Sequence, residues 1–360
     1  MRSVYRGRRA VVIENDQLRV TVLEGGGHIA ELFDKSTGVN PLWTPPWVSI
    51  EPDEFDHATH PGYGGGAAES RLLSAIMGHS LCCDLFGGPS AEEEAAGLSV
   101  HGEGSIATYD IQADHSALVM RAMFPIAQLH VERQVAIYGR AVRIRETVKN
   151  LTGTDRPVGW TQHVTLGPPF IENGVTEFRA SATRSKSFET TFGSADYLTP
   201  GAVFDWPMAP AIGGGHVDLR RSSPAPASSA YTAHVMNPTQ AHAYFVAYSP
   251  RYQLAFGYVW NRVDFPWLGI WEENASRTDS PWNGVSLTRG MEFGVSPFPE
   301  TRRQMIDRGR LFDVPTYRWI PAGGHVSVEY WAIAQTATQI PETLEWPWIF
   351  PSSLPSSFTA

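Results

Sequence analysis

Residues 141–157 read Ala-Val-Arg-Ile-Arg-Glu-Thr-Val-Lys-Asn-Leu-Thr-Gly-Thr-Asp-Arg-Pro. Val142, Ile144 and Val148 alternate with Arg143, Arg145 and Lys149, a period of two that puts apolar side chains on one side of an extended chain and charges on the other. Such a segment is a strand with one face in a core. Thr-Gly-Thr-Asp-Arg-Pro then breaks it with turn chemistry. Upstream, Tyr138-Gly139-Arg140 is a tight connection to another alternating run, Gln128 to Tyr138. The same reading extends to Leu18-Val20-Val22, Ser116 to Phe124, Ala241 to Ala247, Tyr252 to Trp260, Trp267 to Glu273, Gly284 to Phe293 and His325 to Ala334, the last preceded by the turn Pro321-Ala322-Gly323-Gly324. Many short strands at regular spacing predict antiparallel meanders rather than alternating strand and helix.

Composition agrees with an all-β chain. Twelve Trp, twelve Tyr and seventeen Phe supply core material, and 33 Gly and 27 Pro supply turns. A length of 360 residues is compatible with one large β domain, and residues 1–360 are read as a single unit. Helical spacing is confined to Ala67 to Met77 and the acidic stretch Ala91 to Ala96. Two long segments, Pro41 to Gly66 and Ala209 to Ser229, predict irregular loops, and loops of that length in a compact domain are usually functional.

The formal net charge of −9 is dispersed, and basic runs such as Arg6-Gly7-Arg8-Arg9 and Arg302-Arg303 are short. Nucleic acid is therefore not an expected partner. The amino terminus lacks an apolar run of signal-peptide length, and no stretch reaches the ~18 apolar residues of a membrane helix, so a soluble cytoplasmic protein with no membrane partner is expected. Cys82 and Cys83 are adjacent and poorly placed to bridge each other.

Three polar positions fall inside stretches that read as regular β-structure. In Ser99-Val100-His101-Gly102-Glu103-Gly104, His101 and Glu103 are expected on one strand face, with Gly102 permitting close approach of another group. His163 follows Gln162 in Gly159-Trp160-Thr161-Gln162-His163. Glu292 is flanked by apolar residues in Arg289-Gly290-Met291-Glu292-Phe293-Gly294, where burial raises a carboxyl pKa toward the neutral range and Arg289 is the obvious ion-pair partner. The plain alternative for each His is a satisfied structural residue, and for Glu292 a structural ion pair. His79 is the remaining histidine expected nearest a cleft. Among the tryptophans, core by default, Trp271 is a candidate to stack on a ring.

A His beside Gly near residue 100, a strand pair ending in LTGTDRP, a second His soon after, the FPWLGIW strand, the GMEFG glutamate and the PAGG turn before the last strand together resemble aldose 1-epimerases and their galactose-mutarotase-like relatives. The order and spacing agree across nearly the whole chain. The resemblance implies a β-supersandwich of antiparallel sheets whose concave face binds a pyranose, with a small-molecule sugar or glycoside as the partner and no cofactor. By motif position Glu292 resembles the base that takes the anomeric proton, His163 the acid at the ring oxygen, His101 the second histidine that orients the sugar, and Arg71 the sugar-binding arginine; His79, Glu103, Gln162 and Trp271 are further candidate binding residues. The SRLLSAIMGHSLCCDLFGG and HVTLGPPF segments differ from those of simple hexose mutarotases, and the Pro41 to Gly66 insertion with the GHSLCC segment points to a cleft reshaped for a larger glycoside or a modified sugar. Two other functions share this reading of the residues: a carbohydrate-binding protein without turnover, and a metal-assisted lyase or isomerase using His79, His101, His163 and Glu292 as ligands.

Overall fold

The alternating segments form strands, and the turns between them are tight. Leu129–Tyr138 and Ala141–Asn150 pair antiparallel across Tyr138↔Ala141, with Gly139 at φ +58° closing the hairpin. Buried and half-buried side chains alternate along Leu129–Tyr138, as a period of two requires. The computed structural model describes residues 1–342 and Leu344. Among these, two antiparallel sheets dominate, one of twelve strands and one of eight. The smaller runs Glu177–Ala180, His242–Ser249, Leu254–Asn261, His325–Thr336, Ala141–Asn150, Leu129–Tyr138, Ala117–Phe124 and Asp110–Asp114.

The sheets pack face to face. Val20, Leu32, Leu81, Val164 and Met291 of the larger sheet and Leu118, Val131, Ile144, Phe256 and Ala332 of the smaller share one cluster of buried side chains. Each such side chain contributes roughly 1.5–3 kcal/mol relative to exposure, so this interface between sheets is the main source of stability.

The centre of the larger sheet carries the polar residues of interest. Five of its strands, numbered in chain order, are β1 (His79–Asp84), β2 (Arg156–Leu166), β3 (Ser228–Met236), β4 (Trp267–Asn274) and β5 (Leu287–Gly294). Their order across the sheet is β1-β2-β5-β4-β3. From Val158 to Leu166 every residue of β2 is buried, because both faces are covered. The inner face meets the second sheet, and the outer face lies under helix α1 (Ala67–Ala75) and the Pro41 to Gly66 loop.

That loop is anchored to β2 by the Trp43 amide, which donates to the Thr165 carbonyl at 2.8 Å. Trp43 and Trp47 then pack with Trp282, the three ring centroids 4.9–6.0 Å apart. Ala91–Ala95 is a short helix whose capping box pairs Ser90 with Glu93. A further helix, Arg302–Arg308, was not anticipated, although its capping box of Thr301 and Gln304 is a sequence signal. The segment expected to be irregular from Ala209 contains a small hairpin, Met208–Pro210 with His216–Asp218, before β3 begins at Ser228. Cys82 and Cys83 are buried and unbridged. Among the described residues no helix is long and apolar enough to cross a membrane.

Candidate active site

Strand alternation decides which side chains reach the outer face of the large sheet. On β2, Trp160, Val164 and Leu166 point into the inter-sheet core, so His163 and Thr165 point outward. On β5, Met291 and Phe293 point inward and Glu292 outward. His163 and Glu292 occupy paired positions on these neighbouring strands. Their side chains meet, with His163 Nε2 3.1 Å from Glu292 Oε1. His101 arrives from a loop, its ring centroid 4.7 Å from that of His163. The three groups face one cleft of about 220 Å³, together with Trp271, Tyr231 and Trp282.

The loop that carries His101 corrects one expectation. Residues 99–102 form turns, and Glu103–Ser105 is a 3-10 turn rather than part of a strand. His101 has φ +69°, a left-handed conformation that a residue with a β-carbon adopts at a cost. Gly102 follows at φ +72°, and a β-carbon there would lie 2.5 Å from the Cys83 carbonyl oxygen. The loop therefore presses against β1, tied by the His101 amide to the Gly87 carbonyl and by the Cys83 amide to the His101 carbonyl, at 3.1 and 3.2 Å. Backbone geometry fixes the ring over the cleft. Its Nδ1 has no hydrogen-bond partner among the described residues, though His101 is only 8 % exposed.

Burial sets the protonation of the pair. Desolvation pushes the Glu292 carboxyl up to about 8, against a lowering by the Tyr231 hydroxyl. The same loss of water lowers His163 to about 4, and holds His101 well below the ordinary histidine value, with His163 adding to the effect. Gly269 pairs with Glu292 across the β4–β5 ladder, and a β-carbon there would overlap the Tyr231 hydroxyl. The missing side chain lets that hydroxyl reach the carboxyl. His163 Nδ1 is held by Thr165 Oγ1 at 3.0 Å, leaving Nε2 for Glu292. Between about pH 4 and pH 8 the pair thus keeps a single proton between an imidazole and a carboxyl group.

Other expected site residues lie elsewhere. His79 and Gln162 point to the inner face, where His79 Nε2 meets Gln162 Oε1 and its Nδ1 meets the Tyr258 hydroxyl, both at 3.0 Å. Gln162 is one position from His163, and a one-residue step in a strand reverses the face. Because His79 is on that side, the four-residue metal set of His79, His101, His163 and Glu292 does not form. No group of three or more His, Cys, Asp or Glu side chains suited to a metal occurs among the described residues. Arg289, three positions from Glu292, also faces inward. Its partner is Glu272 at 3.6 Å, with the guanidinium over the Phe178 ring.

Glu103 is buried beneath the loop and accepts from the amides of Ile126 and Ala127 at 3.2 and 2.7 Å. Arg71 is on α1 but points away from the cleft, toward the Gly97 carbonyl. The arginine that does line it is Arg277, which sequence reading did not single out. Its guanidinium lies 4.8 Å over the Trp282 ring and 5.7 Å from Trp271, and its Nε is 3.5 Å from Glu273. Tyr231 was missed as well, since it sits in β3, which is buried on both faces and mixes polar and apolar residues without alternation. Trp271 lines the cleft with its ring 5.9 Å from His163.

No known family profile matches the chain, and no curated protein is similar to it. Solved structures are. A protein from Klebsiella pneumoniae, described provisionally as an aldose 1-epimerase, aligns at TM-score 0.63 and 12 % identity over 92 % of this chain and 80 % of its own. One from Escherichia coli, with the same provisional description, gives TM-score 0.60 and 12 % identity over 91 % of this chain and 99 % of its own. A galactose mutarotase-like protein from Clostridium acetobutylicum gives 0.60 and 11 % over 93 % and 98 %. The all-β architecture is that of the galactose-mutarotase-like fold, as the sequence motifs implied.

Proposed function

We propose that the cleft binds a sugar ring and interconverts its anomers, one member of the Glu292–His163 pair taking the anomeric proton while the other gives a proton to the ring oxygen, with His101 orienting the ring. Opening a cyclic hemiacetal requires a proton to leave the anomeric hydroxyl and another to reach the ring oxygen. A carboxyl group and an imidazole 3.1 Å apart, sharing one proton, offer both functions at once. Because the sugar can reclose on either face, the pair must work in both directions. A shared proton suits that reversibility: whichever group accepts from the hydroxyl, the other donates to the ring oxygen. His101, whose ring lies beside that of His163 on the wall of the cleft, is placed to orient the sugar.

The observation that carries this reading is the convergence of Glu292, His163 and His101 on one cleft. The provisional epimerase descriptions of structurally similar proteins support the same substrate class. None of these steps calls on a metal or organic cofactor. The test is Glu292→Gln, which preserves shape and removes the transferable proton. Anomer exchange, followed by NMR across a panel of free sugars, is expected to slow by roughly 10²–10⁴-fold for any sugar the native protein accepts. Undiminished exchange would remove Glu292 from the reaction, and binding of sugars with no native exchange would make the protein a binder.

A further inference from the structure

We propose that Arg277 and Glu69 are specificity-determining residues of this cleft, selecting a neutral sugar by a hydroxyl at the end of the ring away from the anomeric carbon: that hydroxyl accepts from the guanidinium and donates to the carboxylate. The inference rests on the reading that a sugar ring binds beside Glu292, and it concerns how the other end of that ring is recognised.

The chain is shaped to present the donors of Arg277. Glu273, buried near the end of β4, accepts from the amides of Ser276 and Arg277 at 2.8 and 3.0 Å and from the Ser276 hydroxyl at 2.6 Å, which winds the chain into a turn directly after the strand. The guanidinium then lies over the Trp282 ring with Trp271 beside it, and its Nε is turned to Glu273. Stacking engages the flat face of a guanidinium and leaves the N–H bonds in its plane free. Nη1 and Nη2 have no hydrogen-bond partner among the described residues, and the side chain lines the cleft. Arg277 also stands apart from the reacting pair. The Trp271 ring touches both, 5.9 Å from His163 and 5.7 Å from the guanidinium carbon, and the Glu292 carboxyl is governed by burial and Tyr231 with no contribution from Arg277.

Glu69 lines the same cleft from the first turn of α1. Its carboxylate lies over Gly65, where a β-carbon would overlap it, and it has no hydrogen-bond or ion-pair partner among the described residues. The segment leading into α1 is joined to the loop that carries Arg277 and Trp282. The Ser280 hydroxyl donates to the Gly62 carbonyl, and a β-carbon at Gly64 would overlap the Ser280 carbonyl. Glu69 and Arg277 thus belong to abutting segments beside one cleft, yet the ion pair of Arg277 is with Glu273.

A guanidinium can only donate and a carboxylate can only accept, whereas a sugar hydroxyl does both. Hydrogen bonds to charged groups are the stronger kind, and a site built around them rejects a ligand that lacks the matching hydroxyl. An anionic substituent fits less well, because Glu69 and Glu273 set two carboxylates around one guanidinium.

The experiment compares glucose, galactose and mannose with their 3-deoxy, 4-deoxy and 6-deoxy analogues and with glucuronic and galacturonic acids. Affinity is measured by calorimetry on the native protein, Glu69→Ala and Arg277→Met, and anomer exchange by NMR on the same three. For at least one hexose, a deoxy analogue is expected to bind the native protein about tenfold more weakly than its parent, and that ratio is expected to fall toward one in either variant. Exchange by the variants is expected to lose kcat/KM by about the same factor, carried by KM rather than kcat. The uronic acids are expected to bind no tighter than their parents. Glu69 is exposed on its helix and Ala suits a helix, so Glu69→Ala decides alone if Arg277→Met fails to fold. Deoxy ratios unchanged in Glu69→Ala, a uronic acid preferred to its parent, or no binding across the panel would overturn the proposal. Ratios that collapse in the variants without native exchange retain this inference and remove the epimerase reading; native exchange with ratios indifferent to the variants does the reverse.

Discussion

Strand Arg156–Leu166 has two faces that carry the same kinds of polar group in opposite states of satisfaction. On the inner face Gln162 is gripped from every side. Its amide donates to Glu146 at 2.7 Å, and its carbonyl lies 2.8 Å from the Tyr330 hydroxyl, whose one hydrogen serves either this oxygen or Glu146, and beside His79. Glu146 also accepts from Trp160 and pairs with Arg133 at 2.7 Å, all of them buried. On the outer face, one residue along, His163 and Glu292 have few partners beyond each other, and His101 keeps a buried nitrogen without a hydrogen-bond partner among the described residues. A buried polar network with its partners in place holds a core in register. Buried polar groups with spare valences beside a cavity are poised for a ligand. The difference is in the neighbours, since the residue types overlap.

This contrast predicts where a mutation is felt. The largest effect is expected on the inner face: Arg133→Met leaves Glu146 as an uncompensated buried charge and should cost about 3–5 kcal/mol in chemical denaturation. An unchanged midpoint would mean the network contributes nothing to stability. Glu292→Gln on the outer face should act on stability in the opposite sense and depend on pH. A carboxyl whose folded pKa is raised lends stability that is complete below its unfolded value near 4.5 and is lost as pH climbs through about 8. The variant lacks that loss, so its advantage over the native protein should be absent near pH 4.5 and grow by at most about 1.4 kcal/mol per unit toward pH 8. A constant difference across that range would sink the idea of a desolvated acid.

A smaller change is expected from Tyr258→Phe, which deprives His79 Nδ1 of its partner and should cost about 1–3 kcal/mol while leaving anomer exchange intact. Loss of exchange with full stability would instead tie the inner network to the chemistry. The pH profile of exchange itself should be bell-shaped, falling below about 4 as His163 gains a proton and above about 8 as the pair loses its last one.

Much of the fold was legible because alternation survives wherever one face of a strand is solvated, as in Ala141–Asn150 and Leu129–Tyr138. It fails on the central strands, which are covered on both sides. There Trp160-Thr161-Gln162-His163 offers no polarity difference between faces, so His79 and Gln162 were expected in the cleft that only His163 reaches. Arg289 was matched to Glu292 by nearness in sequence, but an odd separation in a strand puts the two on opposite faces. Glu292, His163, His101 and Trp271 could be expected near one another because motif order carries spatial information that local pattern does not, and they line one cleft. Arg277 and Tyr231 lacked such a motif, and their place depends on how β3, β4 and the loop after β4 meet.

The account turns on a carboxyl group kept protonated at neutral pH by its surroundings. Carbon NMR of protein labelled at the glutamate carboxyl, with Glu292→Gln to identify the signal, follows that group directly. A midpoint near 8 is the predicted result; a Glu292 signal that titrates near the ordinary 4.5 would contradict it.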